Sequence, residues 1–295
     1  MAICIPGTCG CPSSKCPCTC AKTFGPVDLR RVWRVGTSAD YPPFEDYDLN
    51  GAIIGFDIDL IKIIAEKLRF VVDLNDMDFN SLFPALGVRY IDIIAAAVSE
   101  TPDRLRFADF TIPYYESAMV LLYREEDPIV EDLDPPLSQL DFKIVAAQSG
   151  TTQEELLNAI KYGDGDEESP FNDPLAPKML IYTHTSLPTI VSQMATQDIV
   201  EVRISPTEVV EGSIHATIMI DKVADGYVNR SKESPQVLLG RTSEYFLFES
   251  IETCSFALPL GSSLVKVING IIAELQENGE IDRLIEKWFG GSSTD

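Results

Sequence analysis

With 295 residues, 45% of them apolar and 23% charged, the chain can bury one or two cores and reads as globular. Its 46 acidic and 23 basic residues leave a net charge of −23, which argues against a nucleic-acid partner because phosphate binding needs clustered Lys and Arg. No run of about 18 apolar residues occurs, so no segment reads as a membrane-spanning helix.

The first 26 residues carry Cys4, Cys9, Cys11, Cys16, Cys18 and Cys20, and only Cys254 lies in the body. This leader lacks the apolar core of roughly 7–15 residues that a secretion signal shows. Metal capture by its C-x-C pairs lacks the C-x₂-C spacing of zinc sites and a nearby histidine. Lipid attachment at a cysteine such as Cys20 lacks a leucine three residues before it. The expectation is a disordered or wrongly started leader.

Beyond it, VWRVGT (32–37) predicts a strand, followed by a loop rich in Pro, Asp and aromatics (SADYPPFEDYDLNGA). Gly55 then leads into a helix on which Ile58, Ile61, Ala65 and Leu68 recur at helical spacing. RFVVDLN predicts a strand and residues 80–88 a helix. IDIIAAAV is a continuous apolar run of the kind parallel strands covered on both faces display. In SETPDRLRFADF, Thr101 reads as an N-cap and Pro102 as the first position of a helix, with Arg104 in its opening turn. A cation there opposes the helix dipole and so calls for a partner anion.

The acidic, Pro-rich stretch 127–141 predicts a connection into a second lobe. KIVAA, MLIYT and ATIMI read as strands; TTQEELLNAI, SLPTIVSQMAT and KVADGYV read as helices; residues 162–174 form an acidic loop. VLLGRTSEYFLFES reads as strand and turn, and SIETCSFALPL as a strand leading back. The chain closes with two helices split at Gly279, a left-handed C-cap. The alternation predicts βαβ units in an α/β sheet.

Enzyme motifs are absent. With only His184 and His215, a catalytic triad or a His-based metal site has little material, and no P-loop, H-E-x-x-H or dinucleotide fingerprint occurs. Neither a cofactor nor a metal is expected. Three strand-to-helix turns remain, at the strand ends where α/β folds collect ligands. One holds Ser99 and Arg104. The second, QSGTTQE, joins Gly150, whose lack of a side chain lets amides approach a ligand, to a capping box of Thr151 and Glu154. The third carries Asp221. Each alone reads as ordinary capping. Together they offer a guanidinium, a free helix N-terminus and a carboxylate, the complement of an α-amino acid.

VGTSADYPPFE, GFDIDLIKIIAEKL, IDIIAAAVSETPDRLRFADFTIPYY, QSGTTQEELL and GEIDRLIEKWFG, in this order, resemble the polar amino-acid-binding proteins of bacterial ABC importers. The likeness spans residues 32–290, is less typical between 158 and 214, and is nearest to the arginine and basic amino-acid branch. It implies a two-lobed periplasmic-binding-protein fold of the type II, flytrap kind, with two hinge strands near residues 116–122 and 246–253. Lobe 1 would comprise 27–118 with 250–295, and lobe 2 would comprise 119–249.

The resemblance also implies roles. Arg104 would pair with the ligand carboxylate, helped by Ser99 and the Thr151 and Thr152 amides, and Asp221 would take the ammonium. Tyr41 and Phe79 would sandwich the ligand side chain, and Gln153 would line the pocket. An arginine fork and an aromatic pair suit these tasks physically, the latter by cation–π attraction of about 0.5–2 kcal/mol. The sequence departs at Ser38, where basic-ligand binders often carry an acid, and at Ala96 and Ala97, where relatives have Ser or Gly. Glu45 or Glu100 could supply the missing acid.

The expected partners are a small L-amino acid, arginine-like or else polar like glutamine, and a membrane ABC permease, with the protein a monomer. The expected location is periplasmic or membrane-anchored outside the cytoplasm. A cyclohexadienyl dehydratase-like enzyme and a sensor domain are the alternatives on the same fold.

Overall fold

The computed structural model describes residues 31–130, 136–163, 178–233, 237–243 and 251–290. The cysteine-rich leader, nearly all of the acidic loop 162–174 and residues 246–250 of the expected second crossing lie outside the described residues.

The described chain opens with β1 (Val32–Thr37), a small hairpin of β2 (Asp46–Tyr47) and β3 (Ile53–Ile54), and α1 (Phe56–Lys67). Next come β4 (Val71–Asp76), α2 (Phe79–Gly87), β5 (Ile93–Val98), β6 (Ala108–Phe110) and β7 (Tyr115–Arg124). The middle contains β8 (Ile144–Gln148), α3 (Thr152–Tyr162), β9 (Leu180–His184), α4 (Leu187–Thr196), β10 (Ile199–Ser205), β11 (Glu208–Ile220) and α5 (Asp221–Glu233). β12 (Leu239–Arg241), β13 (Ile251–Pro259), α6 (Leu264–Glu277) and α7 (Glu280–Phe289) complete it.

One hydrogen-bonded path, β4-β1-β5-β13-β7-β11-β8-β9, runs through both lobes. The strands β4, β1 and β5 are parallel in the first, as are β11, β8 and β9 in the second. Among the described residues, β7 is shared between them. Residues 115–118 of β7 pair with β13, and residues 119–123 of the same strand pair with β11. β13 pairs with β7 through Ile251–Cys254 and with β5 beyond.

The apolar runs follow from double coverage. Along β5, Ile93 and Ala95 enter one core while Ile94, Ala96 and Val98 enter another. In β8, Ile144 and Ala146 face one side and Val145 and Ala147 the other. Alternating side chains on a sheet covered by helices on both faces make every position apolar.

Two local expectations need correction. Residues 104–106 form a single 3₁₀ turn rather than an α-helix. Thr101 Oγ1 still accepts from the Arg104 amide at 3.3 Å, so the cap is present, but the chain passes straight into β6. Arg104 therefore has no α-helix dipole to oppose. Second, ATIMI is only the end of the 13-residue β11, whose earlier part pairs antiparallel with β10. The alternating burial of Val200 and Val202 in IVEVRIS carried that hairpin's period-2 signal.

Candidate ligand-binding site

A cavity opens between the lobes at the carboxyl ends of β1, β5 and β8, beside β11 and the hinge strand β13. Its walls include nine of the ten sequence-predicted residues: Ser38, Tyr41, Phe79, Ala97, Ser99, Arg104, Thr151, Thr152 and Gln153. Asp221 is not among them. It follows directly on Ile220, which is.

Arg104 lies on the first-lobe side and is 8% exposed. Its Nη1 donates to the Ser99 carbonyl at 2.8 Å, and its Nη2 crosses the cleft to the Gly150 carbonyl at 3.1 Å. The guanidinium carbon sits 5.5 Å from the Phe79 ring centre and 5.4 Å from that of Phe83. Phe79 thus flanks the arginine itself. Among the described residues no carboxylate lies within ion-pair distance of Arg104, although burial pulls its pKa down. Glu155 and Glu252 act on it only at longer range, and a buried cation with no anion in contact is an electrostatic deficit that a bound carboxylate would cancel.

Opposite it, Thr151 caps α3. Its Oγ1 accepts from the Glu154 amide, and the Glu154 carboxylate accepts from the Gly150 amide at 2.8 Å, one residue earlier than a standard capping box requires. Gly150 has φ +79, and a Cβ there would stand 3.0 Å from that of Asn80 in α2. The lobes touch at this glycine. Glu252 of β13 adds an acid that the sequence reading missed; it accepts from Ser99 Oγ and from the Thr152 hydroxyl.

Two residues beyond Ser38, Asp40 brings a carboxylate to the cavity wall. Ser38 Oγ donates to Asp40 at 3.1 Å. Asp40 also accepts from Gln148 Nε2 (3.2 Å) and from the Leu187 amide at the start of α4 (3.3 Å), so it bridges the lobes. Tyr41 makes a further bridge, its hydroxyl accepting from the Ile220 amide at 3.3 Å. Glu45 is fully buried on the cavity wall with neither carboxylate oxygen hydrogen-bonded. Burial first, then Asp57 and Asp40, push its pKa well above the usual range. Its loop is pinned by Gly55 (φ +141), where a Cβ would fall 2.0 Å from the Phe44 carbonyl. Glu100, the other acid considered, is exposed.

Ala97 adopts φ +46, a left-handed conformation costing about 1–2 kcal/mol. Its amide donates to Asp57 of α1 at 2.7 Å, and the Tyr114 hydroxyl donates to the same oxygen at 2.6 Å. Burial raises the Asp57 pKa from 3.8 to about 7. Between those values the folded chain holds a proton that the unfolded chain has released, so rising pH favours unfolding there. The ligand-free protein is therefore expected to lose urea resistance as pH rises from 4 to about 7. Asp57→Asn should flatten that slope; an unaltered profile would remove Asp57 as its source.

Asp221, at the start of α5, is 5% exposed and accepts from Ser117 Oγ, while Lys222 Nζ lies 3.3 Å from its second oxygen. The space between the walls is about 20 Å³, close to one water, so an amino acid enters only as the lobes part. Asp40, Tyr41 and Arg104 provide the polar contacts across that gap.

Residues 33–291 match the family model for bacterial extracellular solute-binding proteins, family 3. The chain belongs to this family. Over 257 residues it is 29% identical to the arginine-binding extracellular protein ArtP of Bacillus subtilis, covering 87% of this chain and 86% of that one. An ancestral arginine-binding protein solved with glutamine superimposes with TM-score 0.70 at 28% identity, covering 89% of this chain and 99% of the other. The arginine-bound structure of an ancestral arginine-binding protein gives 0.69 at 28% identity over 88% and 99%. An ancestral amino acid-binding protein described as a precursor of cyclohexadienyl dehydratase gives 0.68 at 25% identity over 88% and 95%. The fold is thus the two-lobed one of this family, built as an α/β sheet with a shared hinge. No helix among the described residues is long and apolar enough to cross a membrane.

Proposed function

We propose that this protein captures an L-amino acid, with a basic, arginine-like side chain favoured, between its lobes and delivers it to an ABC importer. The observation that carries the reading is Arg104, a buried guanidinium without a carboxylate, facing the capped N-terminus of α3 across a narrow cleft. A ligand carboxylate joining both would stabilise the closed form, because it meets both sides only when the lobes are together. The preference for a basic side chain rests on Glu45 and Asp40, two acids in the same walls, and agrees with the arginine-binding relatives. In this reading Arg104, Ser99, Thr151 and Thr152 hold the carboxylate. Asp221 serves the ammonium, and Ser38, Tyr41, Phe79, Ala97 and Gln153 shape the side-chain pocket.

The lobes divide as 27–118 with 250–295 and 119–249, which the shared strand β7 supports by changing partners between Ala118 and Met119. The protein acts as a monomer outside the cytoplasm, periplasmic or membrane-anchored, and its closed form is what the permease reads. Mass spectrometry of the mature N-terminus distinguishes an anchored from a free form.

A thermal-shift panel of the proteinogenic amino acids and ornithine tests the reading. A ligand at 100 times its dissociation constant stabilises by about 2.7 kcal/mol, several degrees at this size. Arginine or another basic member should give the largest shift. A flat panel would refute amino-acid capture, and a larger shift with glutamine would assign a neutral side chain. The three carboxylates of the cavity wall, Asp40, Glu45 and Glu252, give a dehydratase reading some material, since desolvation raises the pKa of each. Turnover of a cyclohexadienyl substrate would favour it, although neither Lys nor His is found in the described cavity wall.

A further inference from the structure

We propose that Glu252, on the hinge strand, is a carboxylate of the ligand's ammonium subsite, acting together with Asp221. This deepens the amino-acid reading and rests on it.

Glu252 is 8% exposed and lines the cavity. Among the described residues its hydrogen bonds come from neutral hydroxyls, those of Ser99 and Thr152. Among the described residues no cation stands within ion-pair distance of it, and the nearby Arg104 is turned to the carbonyls of Ser99 and Gly150. A buried carboxylate held by hydroxyls alone keeps unspent affinity for a positive donor. An ammonium, with three donors and no acceptor, fits that need.

Position supports the same assignment. Glu252 lies opposite Ser117 in the β7–β13 ladder, and paired residues in a ladder present their side chains on one face. Ser117 Oγ donates to Asp221, so the ladder partner of Glu252 contacts the other acid. Asp221 already has Lys222 beside it and does not reach the cavity wall; Glu252 does reach it. Ser99 ties Glu252 to Arg104, since its hydroxyl meets the acid and its carbonyl meets the guanidinium. The carboxylate and ammonium of an α-amino acid are separated by a single carbon, and Ser99 brings a guanidinium and a carboxylate to the same part of the cavity wall. Because Glu252 sits on the strand that carries the hinge, an ammonium bound there also holds the lobes at their joint.

The test is a ligand–protein double cycle by calorimetry. L-Arginine and its desamino analogue guanidinovalerate, and L-glutamine with glutaramate, are titrated into wild type, Glu252→Gln, Glu252→Asp and Asp221→Asn, with melting temperatures checking the fold. Wild type should prefer each amino acid over its desamino partner. Glu252→Gln should weaken the amino acid on the order of 30-fold or more and the desamino partner only about threefold or less. Glu252→Asp, which keeps the charge, should recover part of the preference. Equal losses for both members of a pair in Glu252→Gln, or a preference that vanishes in Asp221→Asn alone, would overturn the assignment. If wild type binds no amino acid, the functional reading fails and takes this one with it. If it binds and the cycle shows no coupling, only the role of Glu252 falls.

Discussion

Arg104→Ala is expected to abolish amino-acid binding while leaving the fold intact. The guanidinium meets both lobes, through Ser99 on its own side and Gly150 on the other. Removing one partner of a buried, hydrogen-bonded charge pair costs about 2–5 kcal/mol, roughly 30-fold to several-thousand-fold in affinity. The fold should survive because Arg104 sits in a one-turn 3₁₀ segment at the cleft rather than in a core, and its removal relieves a desolvated charge. Arg104→Lys keeps the charge without the planar fork and should restore only part of the affinity. Isothermal titration with the ligand found in the amino-acid panel decides it. Unchanged affinity in the alanine variant would reduce Arg104 to a contact between the lobes.

Glu45→Gln should separate basic from neutral ligands. In the ligand-free protein Glu45 is buried among other acids, with both oxygens unpartnered, and so is held toward its protonated form. A guanidinium or ammonium side chain stabilises the ionised form, so binding a basic amino acid should release a proton. The affinity for arginine should accordingly rise with pH until the group is already ionised before binding. Titrations in buffers of different ionisation enthalpy measure the proton count directly. In Glu45→Gln the released proton should disappear and arginine affinity should fall on the order of 30-fold, while glutamine binding changes by only a few-fold. An arginine affinity as high as in wild type would move the side-chain acid to Asp40, the remaining acid in that part of the wall.

Much of this was legible in the residues. The helical spacing of Ile58, Ile61 and Ala65, the unbroken run IDIIAAAV and the βα alternation mark elements formed by local periodicity and double-sided burial. Arg104, Thr151 and Thr152 were legible as well, because strand-to-helix turns in α/β folds converge at the strand ends. The β10–β11 hairpin was carried by an alternation that a helix-and-strand reading of the same stretch overlooks. The supposed helix after Thr101 failed for a different reason. A cap and a proline mark where a helix can start, but six residues after Pro102 the chain is claimed as β6 by pairing with β13, about 150 residues away in sequence.

The sequence by itself indicated a two-lobed fold and the strand-to-helix turns that line the cleft, since these depend on short-range patterns and on a family's ordered motifs. Only the tertiary structure decided which acids face the cleft. Ser38 is not the acid of its loop; Asp40 is, because its carboxylate reaches Gln148 and the start of α4 in the opposite lobe. Glu252 reaches Ser99 only because β13 pairs with both β7 and β5 and brings residues 153 positions apart into hydrogen-bond contact. One acid among 46 looks like another along the chain. Burial and a place on the cavity wall distinguish them, and both are properties of the folded cleft.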